Sequence, residues 1–367
     1  GKFSFPGSFQ GAYMVIYWLP RKAAFKISIP SEAEMKKDIR VLQFGIGVIG
    51  RGVTKVLAKK RGMKIVGAID VTNVGKDLGE VAGVGRKLGV KISNDFNKVV
   101  KQWKPQVAIH TTSSSLKKVY PELERLIKAK VNVVSSCEEL SYPYQKAPAL
   151  AARLDRLAKK SGVTVLGTGV NPGFLMDAWP LFMSGVCTDV KEVKVSRVQD
   201  ASSRRIPFQE KIGAGKTKKE FQKLVQKGTI RHVGLPESVA MIAAGLGWKV
   251  DRVTETIGPI LYRKTVKSDY ITVKPGRVAG VKQVGRGWSK GKPLITLHFE
   301  ASIGAGESYD SVSIKGTPDM EVIVKGGTHG DIATVAMLTN AVSRIFDIPP
   351  GLKTMKDLII STVPNKL

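Results

Sequence analysis

The sequence predicts an α/β chain, a doubly wound parallel sheet followed by a second, mixed α+β domain, and three features support this. From Ile39 onward, short apolar runs alternate with amphipathic segments of helical length, the rhythm of β-α-β units in a parallel sheet. A glycine-rich turn, GIGVIGRG, joins the first of these strands to the first helix. After Gly173 the rhythm gives way to longer strands with alternating apolar and polar residues. Such strands suit a sheet with one face covered.

IRVLQFG reads as the first strand, VTKVLAKKRG as a basic-faced helix ending at Gly62, and MKIVGAID as the second strand, closing on Asp70. Together they make a β-α-β unit of about thirty residues. PQVAIHTT and VNVVSS are further strands, separated by the helical PELERLIKAK, and VTVLGTG at 163–169 follows the helix APALAARLDRLAKKSG. VKEVKVSRVQDA opens the second domain, KKEFQKLVQKG and PESVAMIAAGLGW are its helices, and ITVKPGRVAGVKQVGRGW with KPLITLHFEASIG is its meander. The last helix, GDIATVAMLTNAVSRIFDI, stops at PPG; coming so late, it is expected to return and cover the first domain. The expected domains are 35–170 for nucleotide binding, 171–325 for the second domain, and 326–367 for the returning segment. Residues 1–34 begin without Met, lack steady periodicity and do not make a signal peptide. They read as an extraneous upstream leader ahead of Met35.

A chain of 367 residues, 43% hydrophobic, is long enough for two cores. Its apolar stretches are too short to span a bilayer. Cys137 and Cys187, with four histidines, make neither a disulfide framework nor a zinc pattern. No metal is therefore expected, and a reducing, cytoplasmic compartment fits. The net charge is +29. Because the basic residues are scattered and not gathered in an arm with interleaved aromatics, nucleic acid is not the expected partner. The charge reads as a solvated surface that also attracts an anionic cofactor.

Gly45, Gly47 and Gly50 form G-x-G-x-x-G between a strand and a helix, with Asp70 about twenty residues on. In this dinucleotide (Rossmann) fingerprint the first glycine makes the tight turn, the second admits the pyrophosphate, and the third packs helix on strand. Backbone N–H groups and the helix N-terminus bind the negative charge. Gly45, Ile46, Gly47, Val48, Ile49 and Gly50 are thus the expected cradle for NAD or NADP. Asp70 would hold the adenosine ribose hydroxyls, favouring NAD, while neighbouring Asn73 and Lys76 leave room for a 2′-phosphate. Thr111, Thr112 and Ser113, at the end of the VAIH strand, are expected to contact the cofactor, to cap the following helix, or to do both.

Glu138 and Glu139 stand where the VNVV strand runs out, and in a nucleotide-binding sheet that exit faces the cofactor. Adjacent residues on an extended exit point apart, so one acid is expected beside the chemistry and the other toward helix or solvent. Cys137 has no histidine beside it in sequence and reads as a buried structural thiol. His232, His298 and His329 are too dispersed for a metal site.

Seven segments, GIGVIGRG, GKDLGEVAG, TTSS, SSCEELSYP, GTGVNPGFLMD, HVGLPES and HGDIATVAMLTNA, resemble 2,4-diaminopentanoate dehydrogenases. These group with the native amine dehydrogenases in the broad superfamily of dihydrodipicolinate reductases. The resemblance runs from about Met35 to the C-terminus. It implies a Rossmann domain, a dimerising α+β substrate domain and hence a homodimer, NAD or NADP, and reversible oxidative deamination that releases ammonia. By the alignment of SSCEEL the catalytic carboxylate is Glu138, which would take the proton of the substrate ammonium and stabilise the iminium cation. Asn171 is expected near the nicotinamide or the substrate amine, and His298 looks like the family's pocket histidine. Arg197, ahead of Arg204 and Arg205, is the choice for a substrate carboxylate.

Other readings differ at named residues. Without a pocket arginine, simple ketones and amines become the better substrates. A dihydrodipicolinate reductase would carry a histidine pair where this chain has KIGAGKT. A non-catalytic dinucleotide sensor would keep the glycine loop but have no reason to aim Glu138 at the nicotinamide.

Overall fold

The computed structural model describes residues 38–358, so the leader expected at 1–34 lies outside the described residues. The first half contains β1 (Ile39–Phe44), α1 (Val48–Leu57), β2 (Met63–Ile69), α2 (Leu78–Ala82), β3 (Ile92–Ser93), α3 (Phe96–Trp103), β4 (Val107–His110), α4 (Leu116–Lys128), β5 (Asn132–Ser135), α5 (Pro148–Ser161) and β6 (Thr164–Gly167). Then come α6 (Ala178–Ser184), β7 (Asp189–Asp200), α7 (Ile206–Lys211), α8 (Lys218–Gln226), α9 (Leu235–Gly245), β8 (Arg252–Leu261), β9 (Val266–Lys267) and β10 (Thr272–Val273). The chain continues through β11 (Val278–Ser289), β12 (Lys292–Ser302), β13 (Tyr309–Thr317), β14 (Met320–Lys325), α10 (Gly330–Arg344) and β15 (Gly351–Lys353).

The first sheet has seven strands in the order β15-β6-β5-β4-β1-β2-β3, and every pair is parallel. Its central strands β4 and β6 are buried throughout, which is why they read as continuous apolar runs. One core lies between this sheet and α1 and α10, and another lies under α3, α4 and α5; helices on both faces make the sheet doubly wound. At Gly52 of α1 a Cβ would come within 2.7 Å of Val335 on α10, so glycine lets the two helices pack closely. The predicted α/β class is the one observed.

The second sheet has six strands in the order β14-β13-β7-β12-β11-β8. Only β7 and β12 pair in parallel; the remaining pairs are antiparallel. Its apolar face packs against α9 and its neighbours, with Leu235, Val239 and Ile242 set against Val281, Leu297 and Phe299.

The helix read as PELERLIKAK begins earlier than its proline suggested. Leu116 starts it, with Pro121 inside; the apolar stripe Leu116, Val119, Tyr120, Leu123 and Leu126 is buried and outweighs the one N–H that proline lacks. Strand β3 and helix α3 were not foreseen. The strand has two residues, and α3 buries only Phe96 and Val99 among lysines. Among the described residues no helix is long and apolar enough to cross a membrane.

Candidate active site

Register brings the site together. Phe44, His110, Ser135 and Gly167 are aligned neighbours on β1, β4, β5 and β6. The residues that follow each of them leave the sheet on one edge, and between the neighbouring strands β4 and β1 the strand order reverses, the usual ligand position in such a sheet.

The glycine loop shows a separate reason for each glycine. Gly45 has φ +87 and a Cβ there would lie 2.7 Å from the Thr111 carbonyl oxygen, while a Cβ on Gly50 would lie 2.1 Å from the Gly45 carbonyl oxygen. At Gly47 a Cβ would meet nothing within 4 Å, so its space is open to an approaching pyrophosphate. Asp70 sits beneath the loop: one carboxylate oxygen accepts from Ile46 N and the other from the amide and hydroxyl of Thr72. Burial pushes its pKa up, but these hydrogen bonds outweigh that and hold it below the ordinary range. Beside it opens a cleft of about 520 Å³ lined by Phe44, Gly47, Arg51, Asp70, Asn94 and Phe96. Its size and the open Gly47 face suit the adenosine end of a dinucleotide, so the residues present fit NAD or NADP.

Thr111 and Thr112 line both clefts, but their hydroxyls are committed within the chain. Thr111 Oγ1 donates to Gly45 O at 2.8 Å, and Thr112 Oγ1 donates to Glu122 Oε2 at 2.6 Å. The Ser113 hydroxyl accepts weakly from Ser115 N at 3.3 Å. None of them caps α4 at its first N–H. That role falls to Glu139, whose Oε2 accepts from Leu116 N at 2.8 Å.

The two glutamates diverge as adjacent residues should. They form a short 3₁₀ turn, Glu138–Leu140, after β5. Glu139 faces α4 and Lys146, 2.7 Å away, whereas Glu138 lines a second cleft of about 450 Å³ between the sheet edge and the other domain. Burial raises the Glu138 pKa, and its own backbone N–H, the Ser114 hydroxyl and Lys211 oppose that only in part. Cys137, beneath it, is buried and its thiol pushed far up by burial and then by the Glu138 charge; it is no nucleophile.

Across the cleft stand Asn171 and His232. Asn171, 8% exposed, leaves both ends of its amide without a partner. His232 stacks on Phe299 with ring centres 4.6 Å apart, and its buried Nε2 is also unpartnered. Burial, then Lys211 and Arg197, lower its pKa to about 3, so the ring is neutral under working conditions. Unsatisfied buried polar groups are rare unless a ligand completes them.

One sequence expectation is corrected here. His298 is not in the cleft. Along β12 alternate residues face opposite sides, and His298 lies in the row Val284, His298, Ser196 and Ser311, bonded to Glu300 at 2.8 Å. Its neighbour Phe299 lies in the inward row Gln283, Phe299, Arg197 and Asp310, and the histidine that reaches the cleft is His232. Arg197 borders the cleft; Nη1 donates to Asp310 at 2.7 Å and Nη2 to the Thr328 carbonyl at 2.6 Å, so its charge is already paired within the fold while part of its fork still has donors to offer. Arg204 and Arg205 share Asp331 at 3.3 and 3.7 Å, and Arg204 also stacks on Phe208 at 4.4 Å. Lys211, at the end of α7, lines the same cleft and has no carboxylate within 4.0 Å among the described residues.

Sequence reasoning passed over His232 and Lys211. The signal for His232 was HVGLPES, whose histidine precedes the αL Gly234 that starts α9; nothing local marked Lys211 among so many lysines.

Residues 174–365 match the model of the 2,4-diaminopentanoate dehydrogenase C-terminal domain, and residues 39–139 match that of the dihydrodipicolinate reductase N-terminus. Over 343 residues the chain is 35% identical to a 2,4-diaminopentanoate dehydrogenase of Acetoanaerobium sticklandii, covering 88% of this chain and 94% of the relative. It is 22% identical to an amine dehydrogenase of Streptomyces virginiae, covering 90% and 98%. Among solved structures, an amine dehydrogenase from Mycobacterium smegmatis superposes with a TM-score of 0.78 at 26% identity, covering 91% of this chain and 99% of that one.

Proposed function

The chain belongs to the 2,4-diaminopentanoate dehydrogenase family of NAD(P)-dependent amine oxidoreductases, and from that premise we propose that it catalyses reversible oxidative deamination of a diamino acid such as 2,4-diaminopentanoate, to 2-amino-4-oxopentanoate and ammonia, with Glu138 as the proton acceptor. The observation that carries this reading is the half-buried Glu138 carboxyl, raised in pKa, in a cleft bordered by the glycine loop on one side and by unpartnered Asn171 and His232 on the other.

An amine near neutral pH is an ammonium, and its C–H bond cannot release hydride until nitrogen regains a lone pair. A Glu138 oxygen takes that proton, and its raised pKa narrows the gap to the ammonium it must deprotonate. Bound NAD(P) supplies the hydride acceptor. Once it has passed the proton to solvent, the carboxylate faces the iminium and favours its positive charge. It then accepts a proton from the water that adds to the iminium carbon, returns it to the departing nitrogen, and takes the hydroxyl proton as the carbonyl forms. Asn171 and neutral His232 are suited to orienting the substrate, because each gains a hydrogen bond only when the cleft is filled.

Lys211 lines the cleft as a cation without a carboxylate within 4.0 Å among the described residues, beside Arg197 whose charge is paired with Asp310, which supports a carboxylate-bearing substrate over a simple ketone or amine. The outward face of the six-stranded sheet, the one that carries His298 and Ser311, leaves Ile323 of β14 exposed, consistent with assembly as a homodimer.

The test is Glu138→Gln assayed with 2,4-diaminopentanoate and NAD or NADP. The expected result is a kcat lower by about 10²–10⁴-fold with cofactor binding retained. In the wild type, activity should fall on acidification through the raised Glu138 pKa, because a protonated carboxyl accepts no proton; this acid limb should vanish in the Gln variant. A Gln variant of near-normal kcat would remove Glu138 from the chemistry.

A further inference from the structure

We propose that Lys146 is a positioning residue for Glu138: a single cation, shared between carboxylates of the two domains, that fixes the turn on which the reacting acid stands. The proposal rests on the reading of Glu138 as proton acceptor.

Lys146 Nζ lies 2.7 Å from Glu139 Oε1 and 3.5 Å from Glu237 Oε1. Glu139 is the residue after Glu138, and its other oxygen accepts from Leu116 N at 2.8 Å. Ser115, the N-cap of α4, makes no side-chain cap bond of its own. Glu139 therefore takes over the cap from outside the helix, where a carboxylate also meets the positive end of the helix dipole. With both oxygens tied, Glu139 sets the rotation of the 3₁₀ turn. The far end of that turn is equally constrained: a Cβ at Gly167 would lie 2.4 Å from the Leu140 carbonyl oxygen, so the backbone is pressed onto β6. The Ser141 hydroxyl donates to the Glu138 carbonyl at 2.7 Å. On the turn so held, Glu138 lines the cleft.

Glu237 anchors the other domain. It sits in the first turn of α9, is 2% exposed, and has no hydrogen-bond partner on either oxygen. A buried carboxylate with neither bond nor counter-ion is costly, and Lys146 is the nearest cation the structure offers it. These groups surround a cavity of about 270 Å³ lined also by Tyr142, Gln145 and Arg231. Arg231 pairs through Nη2 with Glu255 at 2.8 Å, while its Nε is buried without a partner and its charge acts on Lys146. On the catalytic side, Lys211 and Cys137 are the other charged or titratable groups that act on Glu138 or feel its charge.

Removing Lys146 leaves Glu139 and Glu237 facing one another without a cation. Glu139 keeps its bond to the α4 N-terminus and stays ionised, so its uncovered charge acts more strongly on Glu138. The Glu139 carboxylate also loses one of its two ties. Lys146→Met should therefore lower kcat about tenfold or more and move the acid limb of the kcat–pH profile upward by about half a unit or more. The KM for the cofactor should stay within about twofold, since the glycine loop is untouched. Lys146→Arg should restore most of the activity. Glu237→Gln, which gives Lys146 wholly to Glu139, should move the same limb the other way, to lower pH.

A purely structural lysine would lower the melting temperature without moving the limb, and that result in folded Lys146→Met overturns the proposal. If Lys146→Met does not fold, Glu237→Gln decides alone: a downward limb supports the proposal, and an unmoved or upward limb overturns it. A wild-type limb that persists in Glu138→Gln places the failure in the reading of Glu138 and not in Lys146.

Discussion

On the glycine-loop side of the molecule, the Asp70 carboxylate, the Thr111 hydroxyl and the Gln43 side-chain nitrogen are all bonded to neighbouring backbone. On the catalytic side, both ends of the Asn171 amide and Nε2 of His232 are buried with no partner. Apart from Gln43 Oε1, which is buried without a partner, the first side is preorganised by its own chain; the other carries polarity that a ligand completes. Substitutions on the first should act through shape and stability together. On the second they should separate activity from stability, because an unsatisfied group is a cost that the free protein already bears.

The largest expected effect tests the shape argument within the loop itself. Gly50→Ala forces a Cβ to 2.1 Å from the Gly45 carbonyl, so the loop must move; cofactor binding should be lost and the melting temperature should fall. Gly47→Val places its side chain in open space, so binding should be lost while the melting temperature holds. Fluorescence titration with NADH and NADPH, beside a thermal melt, separates the two. A Gly47→Val protein that binds normally would show that the open face is not where the pyrophosphate lies.

Asn171→Leu sharpens the other side. The apolar isostere removes two unpartnered polar atoms, so the free protein should be as stable as the wild type or more so, by about 1 kcal/mol. Its kcat/KM should nevertheless fall by about tenfold or more, as expected for loss of an orienting hydrogen bond. Chemical denaturation and steady-state kinetics on one preparation give both numbers. A variant that loses stability in step with activity would place Asn171 among structural groups.

Lys211→Met should raise KM about tenfold for keto acids, the cost of one charge-assisted contact, and leave simple ketones nearly unchanged. A reductive-amination screen with ammonia across both substrate classes reads this directly. Equal losses in both classes would mean that Lys211 does not meet the substrate carboxylate.

How far the sequence revealed this contrast depends on the range of each signal. The glycine loop was legible because its constraints are local: the turn at Gly45, the contact at Gly50 and the acid at Asp70 all fall within one β-α-β unit. Glu138 was legible because a carboxylate at the end of an apolar strand is out of place there. The pocket histidine was misassigned because strand parity decides it, and one residue along β12 separates outward His298 from inward Phe299. Arg197 could not be read as internally paired, since Asp310 lies on β13, more than a hundred residues away, and becomes its partner only through sheet register. The role of Glu139 as a helix cap was equally hidden, because the helix it caps comes before it in the chain.

The smallest expected effect returns to the preorganised side and asks how much of Asp70 serves the cofactor. Its carboxylate accepts from Ile46 N and twice from Thr72, so part of its work is to clamp the loop whether or not ribose is present. Asp70→Asn keeps an oxygen that can accept from Ile46 N but removes the negative charge. A 2′-phosphate would no longer be repelled at that position, and the neighbouring Arg51 guanidinium lines the same cleft to receive it. The affinity ratio should thus move several-fold toward NADP, about 1 kcal/mol, with little change in melting temperature. Titration of each reduced cofactor measures the ratio. If it moves toward NAD, the acid is not discriminating by charge, and the clamp is its whole function.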